Sequence, residues 1–379
     1  MLNRRLIRIR AMQALYAYEK AKGANFLLAQ DIIEECFAPD LNSMEKQDKS
    51  RLQGLSKLAQ NIFQDENSLK PSNEEFDAPS EVTAALKKAR DFFKIKNKKD
   101  YDNYSLQCIM DAEKVYDHYL SLLNLLILIA KKHDQPGKDP GYSGLHKNKI
   151  IKALTESKEL ETLTLKRGAN WEKDQVFINK FFNEAIKNNA KVVEYSAKVN
   201  HTAEEDLAII KYLVKNVLLK HELASEHFEK VDIYWSEDRD ILRSMITHTL
   251  QDFPDIQHID IQKLDETWDD SREFLTTLFR QTILKDDELL EYLVPVLKNW
   301  DFDRISETDR ILLKMGIIEM INYPAIPVKV TINEIIEISK NFSTPKSGQF
   351  VNGILDTVSK NLVKDGIIKK SGRGMLDNK

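Results

Sequence analysis

The chain has 379 residues and a net charge of −4; 42% of it is hydrophobic and 31% charged, with 12 Gly, 10 Pro and only two Cys. That length buries a large core and holds more than one compact unit, while few turn formers among many Leu, Ile, Lys and Glu describe a soluble, mostly helical protein. The composition excludes a zinc quartet and a disulfide framework, so Cys36 and Cys108 read as the free thiols of a cytoplasmic protein, and the net negative charge excludes a general polyanion binder: any basic surface must be local.

Residues 5–20 form the first expected helix, with Ile7, Ala11, Ala14, Leu15 and Tyr18 on one apolar stripe. A second helix fits 45–64, with Leu52, Leu55, Leu58 and Ile62 on its face. A polar loop with two prolines, 65–81, precedes helical patterns at 81–95 and 105–134. The stretch between them, KIKNKKDYDNY at 94–104, interleaves lysines with Tyr101 and Tyr104, a composition that suits nucleic acid but is read first as a solvated connector. The apolar run LSLLNLLILIA at 120–130 falls short of the ~20 residues that span a bilayer and reads as a buried helix. The N-terminus lacks the apolar core and cleavage site of a secretory leader.

QPGKDPGYSGLHKNK at 135–149 is the clearest break. Helices are expected at 148–160, 172–199, 203–222 and 236–251, then at 268–283, 286–299, 306–322, 329–341 and 345–363. Ser306 is placed to cap the 306–322 helix, with Asp309 at its third position. Pro324 and Pro327 separate the next pair. Thr344 is the expected N-cap of the last helix with Pro345 behind it, and Gly353 inside that helix suggests close approach of a neighbour. The tail from Lys364 is expected to fray.

Two places have the chemistry of an anion site. Arg4, Arg5 and Arg8 share an arc of about 100° at the start of the first helix, where cations oppose the macrodipole unless an anion docks there. In STPKSG, Lys346 and Ser347 stand beside the free N–H groups of a helix start, and Phe350 follows one turn later as a candidate base-stacking ring. Acids outnumber bases from Asp265 to Asp309, a solvated surface or a face for a basic protein. Catalytic motifs are missing: HELASEH at 221–227 spaces its histidines about 240° apart on a helix, and no glycine-rich cofactor loop, P-loop or nucleophile elbow occurs. The expectation is a protein that is not an enzyme and needs no metal or cofactor.

RRLIRIRAMQALYAYE at 4–19 and DRILLKMGIIEMINYPAIPVKVTINEIIEISKNFSTPKSGQFVNGILD at 309–356 together resemble the NusB family of transcription antitermination factors. The resemblance implies an all-α fold, a pair of small helical bundles, here with a helical lobe inserted at 23–231 between the first helix (1–22) and the remainder (232–365), and a flexible tail at 366–379. It implies binding of boxA-like single-stranded RNA in nascent ribosomal RNA, together with ribosomal protein S10, within the RNA polymerase antitermination complex. By position it assigns Arg4, Arg5, Arg8, Ser347, Gln349 and Phe350 to RNA, with Lys346 added from its own charge, and Tyr16 and Asp309 to the protein partner. Pro345 and Lys346 replace the acidic residues common before the matching serine, which favours phosphate. The alternatives are an accessory protein of RNA modification and a structural helical scaffold. The antitermination reading requires Arg5 and Ser347 to share one side of the fold, and it expects Arg5→Glu or Arg8→Glu to weaken RNA binding without unfolding the protein.

Overall fold

The computed structural model describes residues 3–40, 42, 47–68, 78–133, 144–297 and 304–378. Among them all regular structure is helical. The helices are α1 (Arg4–Cys36), α2 (Lys49–Glu66), α3 (Ser80–His133), α4 (Lys149–Glu156), α5 (Lys158–Arg167), α6 (Gln175–Phe181), α7 (Ala190–Ser196), α8 (Ala203–Tyr212), α9 (Glu222–Val231), α10 (Trp235–Leu250), α11 (Phe253–Ile256), α12 (Trp268–Leu284), α13 (Asp286–Leu293), α14 (Glu307–Asn322), α15 (Val328–Phe342) and α16 (Ser347–Lys364). Single π-helical stretches continue α6 and α8.

Most expected elements are present, but the first helix runs on from residue 20 to Cys36, the helix expected at 148–160 is split at Ser157 into α4 and α5, and the one expected at 172–199 is broken before α7. The connector at 94–104 is helix: α3 runs unbroken for 54 residues because neither Gly nor Pro interrupts it, and its lysines are compatible with helix throughout. α9 was not anticipated; His221, an unusual N-cap, accepts the Leu223 N–H through its ring. The tail is anchored rather than frayed: Ile368 is buried, and Lys370 Nζ donates to the Met320 and Tyr323 carbonyls at 2.8 and 3.1 Å, closing the end of α14. Of the break read at 135–149, residues 135–143 lie outside the described residues, and Leu145–Lys147 form a short 3-10 turn before α4.

The chain divides into two compact units, Met1–Arg4 with Met110–Ser271, and Arg5–Ile109 with Arg272–Lys379. The lobe read from sequence as 23–231 contributes to both. In the first unit the apolar C-terminal half of α3 is the central element. Leu120, Leu122, Leu123, Leu125, Leu126 and Ile129 are all buried. Around it, Trp171 donates to the Ser121 carbonyl, Arg167 pairs with Asp117 and Glu113, and Tyr119 meets Thr249 and the Gln262 N–H. His118 and Asp232 form a buried pair at 2.9 Å.

In the second unit, α1, α2 and the first half of α3 form a bundle around Ala29, Ile33, Ile62, Phe63, Val82 and Leu86. Phe26 stacks on Phe63 at 5.2 Å, and Asn25 donates to Asn97 and Asp100, which fixes α1 against α3. The helices α14, α15 and α16 pack together in the same unit. Gly316 permits that packing: a Cβ there would meet Leu355 at 3.1 Å. Gly353 does not play this role, because a Cβ at that exposed position meets nothing within 4 Å.

Candidate nucleic-acid interface

The start of α1 lies against α14. Arg8 pairs with Glu319 near one end of α14, and Lys20, further along α1, pairs with Glu307 at the other. Equal steps along the two helices in opposite senses show that they run antiparallel. The seam decides which of the basic residues reach solvent.

Arg4 and Arg5 are exposed. Arg5 nevertheless has a partner: its Nε and Nη2 donate to the two Glu334 carboxylate oxygens at 2.9 and 2.8 Å. The hydrogen bond to Arg5 holds the Glu334 carboxyl below the usual range against the opposing effect of burial. Arg8 is not a surface cation, and this corrects the sequence reading. It is only 2% exposed; Nε and Nη2 donate to Glu319 at 2.7 Å each, and its guanidinium lies 5.3 Å from the Phe274 ring centroid. Thr331 donates to the same Glu319 at 2.7 Å, and Glu334 stands 3.6 Å from Arg8. Arg8 therefore ties α1 to α12, α14 and α15 and has no free face for phosphate. A buried pair of this kind holds because desolvation is offset by complete hydrogen bonding.

Ser347 and Asp309 are corrected together. Both are buried, at 2% and 5% exposure, and Ser347 Oγ donates to Asp309 Oδ2 at 2.7 Å. The Thr344 N–H, the Thr344 hydroxyl and Ser343 also meet Ser347 Oγ, and Ser306 meets Ser343 at 3.1 Å. Ser306 caps α14 as expected, accepting the Asp309 N–H, but the Asp309 side chain reaches across to the start of α16 instead of outward. This cluster joins α14, α15 and α16. It displaces the expected cap of α16: the helix begins at Ser347 with Lys346 as N-cap, no side chain caps it, and Thr344 and Pro345 form the preceding turn.

Lys346 and Gln349 are exposed and Phe350 is half-buried. Near them, the Ser347 and Phe350 N–H groups donate to the Thr344 and Lys346 carbonyls, Ser347 and Gly348 are buried, and the Asp309 carboxylate lies at this end of α16 through Ser347. α15 links this end to Arg5. Glu334, Glu337 and Lys340 are spaced along one side of it; Lys340 donates to Glu337 at 2.6 Å, and a Cβ on Gly348 would lie 3.6 Å from Lys340 Cγ. Glu334 and Lys340 are ~9 Å apart along the helix axis at 1.5 Å per residue. A Cβ on Gly348 would also lie against Ile336 and Ser339, so the start of α16 packs on a face of α15 roughly opposite the one that carries Glu334 and Arg5.

Sequence reasoning missed Glu319, Glu334 and Lys340. Glu319 did carry a signal: a lone carboxylate in the apolar run MGIIEMIN implies a buried partner cation. Tyr16, 39% exposed, lies on the other arc of α1 with Lys20 Nζ 5.0 Å from its ring centroid, and Glu307, not Asp309, is the acid beside it.

The geometry defines an all-helical protein with a localised, partly neutralised basic surface. Residues 235–360 match the NusB family, and the chain carries a NusB-family domain there, with the preceding residues additional to it. It is 40% identical over 106 residues to the transcription antitermination protein NusB of Salinibacter ruber, covering 28% of this chain and 66% of the relative. Against the NusB of Chloroherpeton thalassium it is 36% identical over 107 residues, 28% of this chain and 51% of the relative. Against that of Fervidobacterium nodosum it is 40% identical over 91 residues, 24% of this chain and 62% of the relative. The chain thus spans half to two thirds of the length of these relatives. The opening helix lies outside the family match, yet the Arg8–Glu319 pair fastens it to α14 within the matched segment. No solved structure matches this chain.

Proposed function

We propose that the protein is an RNA-binding transcription antitermination factor. It holds boxA-like single-stranded RNA of nascent ribosomal RNA, acts with ribosomal protein S10 and joins the antitermination complex of RNA polymerase. The role is non-catalytic. Phosphates contact Arg4, Arg5 and Lys346, while Gln349 and the half-buried Phe350 contribute to the bases. Arg8, Ser347 and Asp309 support this surface from beneath without touching the RNA. Tyr16, Lys20 and Glu307 are the candidate contact for the protein partner.

The observation that carries the reading is the NusB-family match over 235–360, with Arg5, Lys346 and Gln349 exposed in the same compact unit. Exposed cations at two helix starts, Arg5 on α1 and Lys346 before α16, fit a strand of phosphates better than a scaffold. The test is a filter-binding titration of boxA-like RNA, with and without S10, against a scrambled RNA over a range of salt. Arg5→Glu should weaken binding and lower the salt slope by about 0.7, the contribution of one phosphate contact on a single strand. Equal affinity for boxA-like and scrambled RNA, with S10 present or absent, would remove the proposal.

A further inference from the structure

α3 carries a second basic surface, in the same unit as Arg5 but on the residues that precede the family match. Lys87, Lys88, Lys94, Lys98 and Lys99 are all exposed. At 100° per residue they fall on one arc of about 140°, along ~18 Å of helix axis. Among the described residues none of the five has an ion-pair or hydrogen-bond partner. Their cationic neighbours are engaged elsewhere: Arg90 pairs with Glu66, and Lys96 turns onto the Phe92 ring. One acid, Asp91, shares the arc.

What sets this face apart is that its lysines share one arc, while many other cations of the chain are paired. The net charge is −4, and Arg5, Lys20, Arg51, Arg167, Lys191, Lys198, Lys314 and Lys360 all pair with carboxylates. Five unpaired lysines on one arc repel one another, and an extended polyanion relieves that repulsion. Lysine rather than arginine gives point charges without bidentate readout, which suits a phosphate backbone of any sequence. An anionic membrane fits less well. The apolar side of this helix is already used: Phe92 and Phe93 pack on the three-helix core, and Ile95 is the one large hydrophobic exposed within the arc at 87–99.

We infer that the outward face of α3 from Lys87 to Lys99 is a sequence-independent RNA track, which holds the strand flanking the recognised element. The inference extends the RNA-binding reading above. Asn25 of α1 bonds Asn97 of α3, so the track lies ~30 Å along α1 from Arg5, about nine nucleotides of stacked strand at ~3.4 Å each.

The test compares the full chain with Lys94→Gln/Lys98→Gln on two RNAs, a short boxA-like RNA of about 10 nucleotides and the same element extended to about 30. The wild-type protein should bind the longer RNA more tightly and with a steeper salt slope. The double variant should lose about tenfold on the longer RNA and about 1.4 of its slope, and bind the short RNA unchanged. An extension of scrambled sequence should serve as well as a natural one. If the wild-type protein gains nothing from the added length, or the variant keeps its full affinity and slope on the longer RNA, the track does not exist. If the short RNA fails to bind while the longer one binds through these lysines, the track stands and the boxA reading falls. Unchanged RNA binding with lysine-dependent capture by phosphatidylserine vesicles would assign the face to membranes and overturn the inference.

Discussion

The seam between α1 and α14 and the outward face of α3 are both rich in cations, yet they use them in opposite ways. At the seam, Arg5, Arg8 and Lys20 each meet a glutamate, and Arg8 is wholly enclosed with its partner. On α3, five lysines share an arc with a single acid and no described partner. The seam therefore spends its charge on holding helices together and keeps little for a ligand. The α3 face contributes nothing to packing and keeps all of its charge. A run of cations has a functional reading only after its acids have been located.

The largest effect should come from Arg8. Arg8→Ala leaves Glu319 buried and unpaired, which should cost about 3–5 kcal/mol in urea unfolding. Pairing it with Glu319→Leu should restore much of that loss. A cost under about 1 kcal/mol would mean that Arg8 is not enclosed and would blur the contrast with α3.

A smaller effect concerns pH. The Glu334 carboxyl is depressed by its bond to Arg5, so the folded state gives up its charge at a lower pH than the unfolded chain. The contribution is present above the ordinary carboxylate range and is lost as pH falls through the depressed value. Because Arg5 is half in solvent, its size should be below about 1 kcal/mol. The urea midpoint of Glu334→Gln should therefore depend less on pH between 7 and about 3 than that of the unaltered protein. An identical pH dependence would show the pair to be inert.

The smallest effect should be that of Lys94→Ala. An exposed, unpartnered side chain should change stability by no more than about 0.5 kcal/mol by thermal melting. A larger loss would place Lys94 in a structural role and erase the distinction between the two regions.

Much of the helical pattern was legible because apolar residues recur at helical spacing and prolines mark the connections around α14 and α15. Ser306 was legible as a cap because its effect is local. The unbroken α3 was not read through 94–104, since a polar, lysine-rich stretch carries no apolar stripe and helix continuity there depends only on the absence of breakers. In the site, the exposed cations Arg4, Arg5 and Lys346 were visible as charges on helix starts. The fates of Arg8, Ser347 and Asp309 were not, because their partners lie 311 and 38 residues away in sequence.

The sequence by itself determined that the chain is helical, that its two ends carry cations at helix starts, and that a NusB-like segment closes it. These are matters of local propensity, periodicity and motif. Only the tertiary structure decided which cations are spent and which are free. That depends on which carboxylates the packing of α14 and α15 brings within hydrogen-bond reach, and a charge's effective strength depends on distance and burial rather than on its place in the chain.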